Sequence, residues 1–199
     1  MPFLRQLGLV DEISATQSRN EMAIVLGAVK SAIRKRYAIL IREYRQGVRF
    51  RNLVMCGSAR PNSEVVTDFD NEFLPFPENT SFDGYENPPK DEADLMEAIY
   101  HLARPTFPWR RDVVPFFKKT IGKGRNANTK DTLTDWGTFP TGKILLVSSQ
   151  PFVSYQALIA QKCLPSSCKI EAIGAAASPT LAVSKFLDNV AKIIFELAD

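Results

Sequence analysis

The chain has 199 residues, of which 45% are hydrophobic and 24% charged, and a formal net charge of +3. That length fits one ordinary domain or two very small ones, and it can bury a core without disulfides or metals. The proportions exclude a disordered chain, a collagen and a coiled coil, and so small a basic excess does not by itself argue for nucleic-acid binding.

Residues 1–20 read as a short helix or arm, and Asp11 and Glu12 interrupt any apolar leader. No window approaches the roughly 18 uncharged apolar residues of a membrane span, so the expected location is cytoplasmic. Met22 to Ala28 is a short apolar run ending around Gly27, and periodicity alone does not separate a buried strand from a helix start. From Val29 to Gln46 the period is helical. Val29, Ile33, Tyr37, Leu40, Ile41 and Tyr44 form a stripe, Lys30, Arg34, Lys35, Arg42 and Arg45 lie off it, and Gly47 is the expected stop.

Phe50 to Gly57 reads as a second strand ending in glycine. Residues 58–89 follow as a polar, proline-rich insertion of the length that usually marks a lid or a functional excursion. A helix opens at Asp91, with two prolines before it and acidic residues in its first turn, and Pro105 and Pro108 end it. Asp112 to Phe117 is a third apolar run, demoted by Pro115 to an edge or irregular strand. A glycine-rich basic loop leads to a brief helix over Thr129 to Trp136. Lys143 to Ser149 is the clearest strand, and Pro151 is placed to open a helix running to about Leu164. Lys169 to Gly174 is the last strand, and Ser178-Pro179 is expected to cap and open a terminal helix. This alternation predicts one α/β domain over 1–199: three layers, with helices on both faces of a mainly parallel sheet of about five strands.

In such folds ligands bind at the carboxyl ends of the strands. The polar and glycine residues expected there are Gly27, then Gly57, Ser58 and Arg60, then Asn128 and Thr129, then Ser148, Ser149 and Gln150. Arg60 beside backbone N–H groups suits planar recognition of a phosphate or carboxylate. Gly122-Lys123-Gly124-Arg125 is basic but lacks the spacing of a phosphate-binding P-loop, so it reads either as a flexible basic loop or as an anion-binding one. Asn128 and Thr129 are also good helix-capping types. The one histidine, His101, lies in a helical pattern as a structural or surface residue, and no serine stands in a nucleophile elbow. Carboxylates are therefore the candidate acid/base groups, Glu92 first as a catalytic residue and Asp131 second. Cys56, Cys163 and Cys168 match no zinc template and read as reduced thiols; a Cys163–Cys168 bridge would need an oxidising compartment. No metal site is expected.

The ordered segments resemble the SanA/YdcF-like family, a bacterial domain of unknown function. Val25-Leu26-Gly27, Arg34/Arg36 and Gly47 match its first strand, Arg-containing helix and glycine, and Met55-Cys56-Gly57 its second strand end. Asp91-Glu92-Ala93-Asp94-Leu95-Met96 stands at its Ser-Glu-Ala-x-x-Met helix start. Asn128-Thr129-Lys130-Asp131-Thr132 and Leu146-Val147-Ser148-Ser149 stand at its Asn-Thr-x-Glu-Asn and Leu-Val-Thr-Ser motifs. The match runs from about residue 22 to 174. Asp91 replaces the serine, Asp131 and Thr132 replace the Glu-Asn pair, Phe152 and Tyr155 stand where a histidine and an arginine are usual, and the 58–89 insertion exceeds the compact pattern.

The resemblance implies a Rossmann-like fold in a divergent, soluble member, without the cell-envelope role of anchored members. Its ligand would be small and anionic or nucleotide-like, S-adenosylmethionine among the candidates, bound at the strand ends. The alternative is a non-catalytic interaction domain using residues 58–89. Nucleic-acid binding through Arg34-Lys35-Arg36, Arg42, Arg45, Arg49 and Arg51 is disfavoured, because these residues read as a solvated helix face.

Overall fold

In the computed structural model, residues 2–61, 89–109, 112–134 and 141–198 are described. Five strands, β1 (Arg19–Leu26), β2 (Arg49–Ser58), β3 (Pro115–Thr120), β4 (Gly142–Ser149) and β5 (Cys168–Ala175), form one sheet in the order β3-β2-β1-β4-β5. Every pairing is parallel. The helices are α1 (Pro2–Gln6), α2 (Lys30–Arg45), α3 (Glu92–Ala103), α4 (Thr129–Thr134), α5 (Val153–Cys163) and α6 (Val183–Ala198). The architecture is α/β with helices on both faces of a parallel sheet, as the alternation of elements predicts, and it is Rossmann-like.

β1 lies at the centre, and its residues divide the core in two by strand alternation. Ala23 and Val25 face the layer of α2 and α3, packing with Ile33, Tyr37, Leu95 and Met96. Met22, Ile24 and Leu26 face the opposite layer, with Leu133 of α4 and Ile159 of α5. Both faces are covered, so the central strands are nearly all apolar. α2 ends where Gly47, at φ +108°, turns the chain so that the Val48 N–H reaches the Glu43 carbonyl at 3.0 Å. An aromatic cluster closes the first layer: Trp109, wholly buried, stacks on Phe107 at 4.9 Å between centroids and meets Phe50 and Tyr44 edge-on.

Several boundaries differ from expectation. The run at Met22 is a strand that begins earlier, at Arg19, paired with Arg49. The third strand is an edge strand but lies at Pro115–Thr120, displaced from the Asp112–Phe117 run. Pro115 is its first residue, where a missing N–H costs least, and Lys118 and Lys119 lie within it. The terminal helix starts at Val183, not at Ser178-Pro179, because Ser178 shares a hydrogen bond with the Thr180 hydroxyl in a turn ahead of the helix. α4 is described to Thr134; the expected end at Trp136 lies outside the described residues. The same holds for most of the 58–89 insertion, but its ends meet: Pro61 and Asp91 form an antiparallel bridge, and the Glu92 N–H donates to the Arg60 carbonyl at 3.0 Å. Among the described residues, no helix is long and apolar enough to cross a membrane.

Trp109→Ala should lower the unfolding free energy in urea by about 3–5 kcal/mol, since the ring cannot be replaced without a cavity. Cys56 is buried at the end of β2, and burial pushes its thiol up to about 12. Iodoacetamide at pH 8 should therefore modify it only after denaturation.

Candidate functional site

The chain returns from the insertion directly onto the strand ends. Asp91 caps α3, its carboxylate accepting from the Asp94 N–H at 3.1 Å, which places Glu92 at the first helical position. The Glu92 carboxylate lies between the ends of β1 and β2. Its Oε1 accepts from the Ser58 N–H at 3.0 Å and its Oε2 from Arg60 Nη2 at 2.6 Å. Two glycines make this approach possible. A Cβ on Gly27 would sit 2.0 Å from Glu92 Oε1, and one on Gly57 would sit 2.5 Å from the Ala93 Cα. The carboxylate thus occupies the space of a side chain missing from β1, and the first turn of α3 rests on β2.

Arg36 completes this group. It reaches across from α2, 2% exposed, and donates from Nη1 to the carbonyls of Leu26 and Gly27 at 2.7 Å each and from Nη2 to Ser149 Oγ at 3.2 Å. Burial lowers its pKa to about 10, against the opposing pull of the Glu92 carboxylate. Reading Arg34-Lys35-Arg36 as a solvated face is therefore wrong for Arg36. The signal was present: Ile33, Arg36, Tyr37 and Leu40 follow i, i+3, i+4, i+7, which puts Arg36 on the buried stripe.

Of the sequence-predicted site residues, Gly27, Gly57, Ser58, Arg60, Glu92 and Ser149 come together here. Asn128, Thr129 and Ser148 serve neighbouring structure, and Gln150 both borders a cleft beside Arg36 and holds the N-terminal arm. Ser148 donates to Gln156 Oε1, and Gln156 Nε2 donates to Thr129 Oγ1 at 3.2 Å, a relay that ties β4 to α5 and α4. Asn128 and Asp131 cap α4 reciprocally, the Asp131 N–H on Asn128 Oδ1 at 3.0 Å and the Asn128 N–H on Asp131 Oδ2 at 2.8 Å. Arg125 grips Asp131 with both terminal nitrogens and holds its carboxyl below the usual range. Asp131, the second acid/base candidate, is thus the clamp of a loop. Gln150 Nε2 donates to the carbonyls of Gly8 and Asp11, both at 2.9 Å, and so fastens the N-terminal arm. His101 is half exposed, beside Glu97 and Phe117.

Beside Arg36 lies a cleft of about 350 Å³, bordered by Ser31 and Lys35 of α2, Ser149 and Gln150 at the end of β4, and Thr180 and Lys185 around the start of α6. It stands where the chain leaves β1 toward one side of the sheet and β4 toward the other, the place where open α/β sheets take ligands. The first turn of α2 borders it with no side-chain cap and no acidic residue. Ammonium groups, hydroxyls and a helix start suit an anion. Ser149 is common to the cleft and to the Arg36 group. Among the described residues no cluster of histidine, cysteine and carboxylate side chains is arranged to hold a metal ion.

Arg36→Met should cost about 3–5 kcal/mol of stability in denaturant titration, because it strips the donors from two strand-end carbonyls and leaves Glu92 with one guanidinium fewer. Arg60→Ala should cost less, since its side chain is 28% exposed and Arg36 remains. Compared with known proteins, the chain matches no family model, no curated protein and no solved structure.

Proposed function

We propose that this protein binds a small anionic or nucleotide-like molecule in the cleft between the start of α2, the C-terminal end of β4 and the segment that follows β5. The observation that carries this reading is the cleft itself, at the switch point of a parallel sheet, with Lys35 and Lys185 on its walls and the Arg36–Ser149 contact beside it. Its volume of about 350 Å³ is at the low end for ligand sites. That favours a mononucleotide, a sugar phosphate or S-adenosylmethionine docked by its carboxylate over a dinucleotide. Glu92 then serves as a positioning residue: both its oxygens are engaged by Ser58 and Arg60, and it holds the strand ends on which the cleft is built. The SanA/YdcF-like kinship belongs to the same proposal. Its support is that Gly27, Arg36, Gly57 and Glu92, all within the motifs of that resemblance, converge on one group.

A thermal-shift series against inorganic phosphate, mononucleotides, sugar phosphates and S-adenosylmethionine tests the reading. Binding at a hundredfold excess over the dissociation constant should raise Tm by about 5–10 °C for a domain of this size. Lys185→Ala, a change on an exposed side chain, should remove the shift while leaving the unliganded Tm in place. If a folded wild-type protein shows no shift with any of these compounds, the proposal is lost.

A further inference from the structure

α6 is unlike the other long helices. α2 and α3 bury apolar faces in the sheet layers, whereas α6 packs mainly on α5. Phe186 and Asn189 are its only buried side chains. Lys162 of α5 holds the Glu196 carbonyl, and Lys192 lies over the Tyr155 ring at 5.9 Å. Yet α6 is strongly amphipathic, and much of its apolar surface faces outward. Val183, Leu187, Ile194 and Leu197 are 56%, 59%, 62% and 69% exposed, and Val190 between them is partly so.

These five residues are spaced 4-3-4-3 along the helix, the repeat of a two-stranded coiled-coil seam. Ser184, Ala191 and Ala198, at seven-residue intervals, run along one flank and are small enough to let another helix come close. On the solvent side, Lys192 pairs with Asp188 at 2.7 Å within the same helix, so the flank carries no row of like charges. Among the described residues no other helix exposes an apolar row of this length. Single exposed apolar residues are ordinary; a continuous row on one helix is a surface for which a partner is sought.

We propose that this row is a dimer seam, and that its occupant is α6 of a second copy of this chain. A helix must present the same 4-3-4-3 spacing to fill the holes of such a seam, and a second copy presents it by identity, which two-fold symmetry turns into a self-complementary patch. Four exposed side chains and the partly exposed Val190 offer at most roughly 500 Å² per copy, so about 1,000 Å² in the pair is the ceiling, the size of a weak, reversible dimer. Sixteen residues give a contact about 24 Å long. The inference is independent of the ligand proposal, since the seam residues do not line the cleft.

Sedimentation velocity across a concentration series tests it. The wild type should sediment as a dimer of about 45 kDa, twice 22.3 kDa, at tens of micromolar. Leu187→Glu/Ile194→Glu should raise the dissociation constant at least about 100-fold with an unchanged circular dichroism spectrum, because both side chains are exposed and fill no core. Phe195→Glu, equally exposed at 65% but off the seam, should leave the dimer intact. A wild type that stays monomeric at the highest concentration overturns the proposal, including one that partitions onto phosphatidylcholine vesicles instead. A dimer that survives the double substitution overturns it too, as does one broken equally by Phe195→Glu.

Discussion

One buried guanidinium sets the geometry of the strand ends. Arg36 donates to the last carbonyl of β1, to the carbonyl of Gly27 beyond it and to a hydroxyl at the end of β4. Those two strands are neighbours in the sheet, but their following connections run to opposite sides. Where parallel strands diverge in this way, carbonyls and hydroxyls at the ends lose their ladder partners and must find others. Arg36 supplies them from α2, and its charge, removed from water, in turn requires a carboxylate nearby. Glu92 provides it from the start of α3. The two helices of one layer are thereby tied to each other and to three strands by a few atoms, and the hydrogen bond from the Tyr37 hydroxyl to the Met96 carbonyl adds a second tie deeper down.

This constraint explains which residues stand around it. Gly27 has no side chain because the Glu92 carboxylate occupies that space, and Gly57 has none because α3 must lie against β2. Asp91 is needed to start α3 at the residue that presents Glu92, and Lys119 at the end of β3 pairs with both Asp91 and Asp94, so the edge strand also fixes the start of that helix. The insertion leaves the strand end at Pro61 and rejoins at Asp91, so its length does not strain the site.

Much of the fold was legible in the sequence because its signals are local. The uninterrupted apolar run of β4, the helical stripe and glycine stop of α2, and the proline-flanked acidic start of α3 each carry their own explanation in neighbouring residues. Legibility failed where partners lie far along the chain. Thr129 and Ser148 look alike as strand-end polar groups, yet their side chains close a relay through Gln156, which only the packing of α4 and α5 decides, whereas the Asn128 cap of α4 is local and its residue type already suggests it. Arg36 was hidden for a different reason. Its spacing marks it as inward-facing, but an arginine is so rarely buried that the basic run around it reads as solvated. β3 was displaced because Val113 and Val114 look like strand and Lys118 and Lys119 do not, although an edge strand accommodates lysines readily.

Charge is ordered along the strand ends, and this order bears on what they attract. Arg36, Arg60 and Lys119 face Glu92, Asp91 and Asp94 in the two groups, so the sum is balanced, but the positions are not. At the β3 edge a lysine meets two aspartates, and with the lysine and one aspartate 44% and 35% exposed, water and salt screen them. Toward the switch point two arginines meet one carboxylate, and Arg36 is almost wholly buried where screening is weak. The positive end of this arrangement therefore points toward β4, through Ser149 to the cleft that Lys35 and Lys185 border. An anion placed there would be favoured by charges that the fold already requires for its own integrity. The group that holds the sheet ends together and the border of the cleft thus meet at one hydroxyl, Ser149 Oγ.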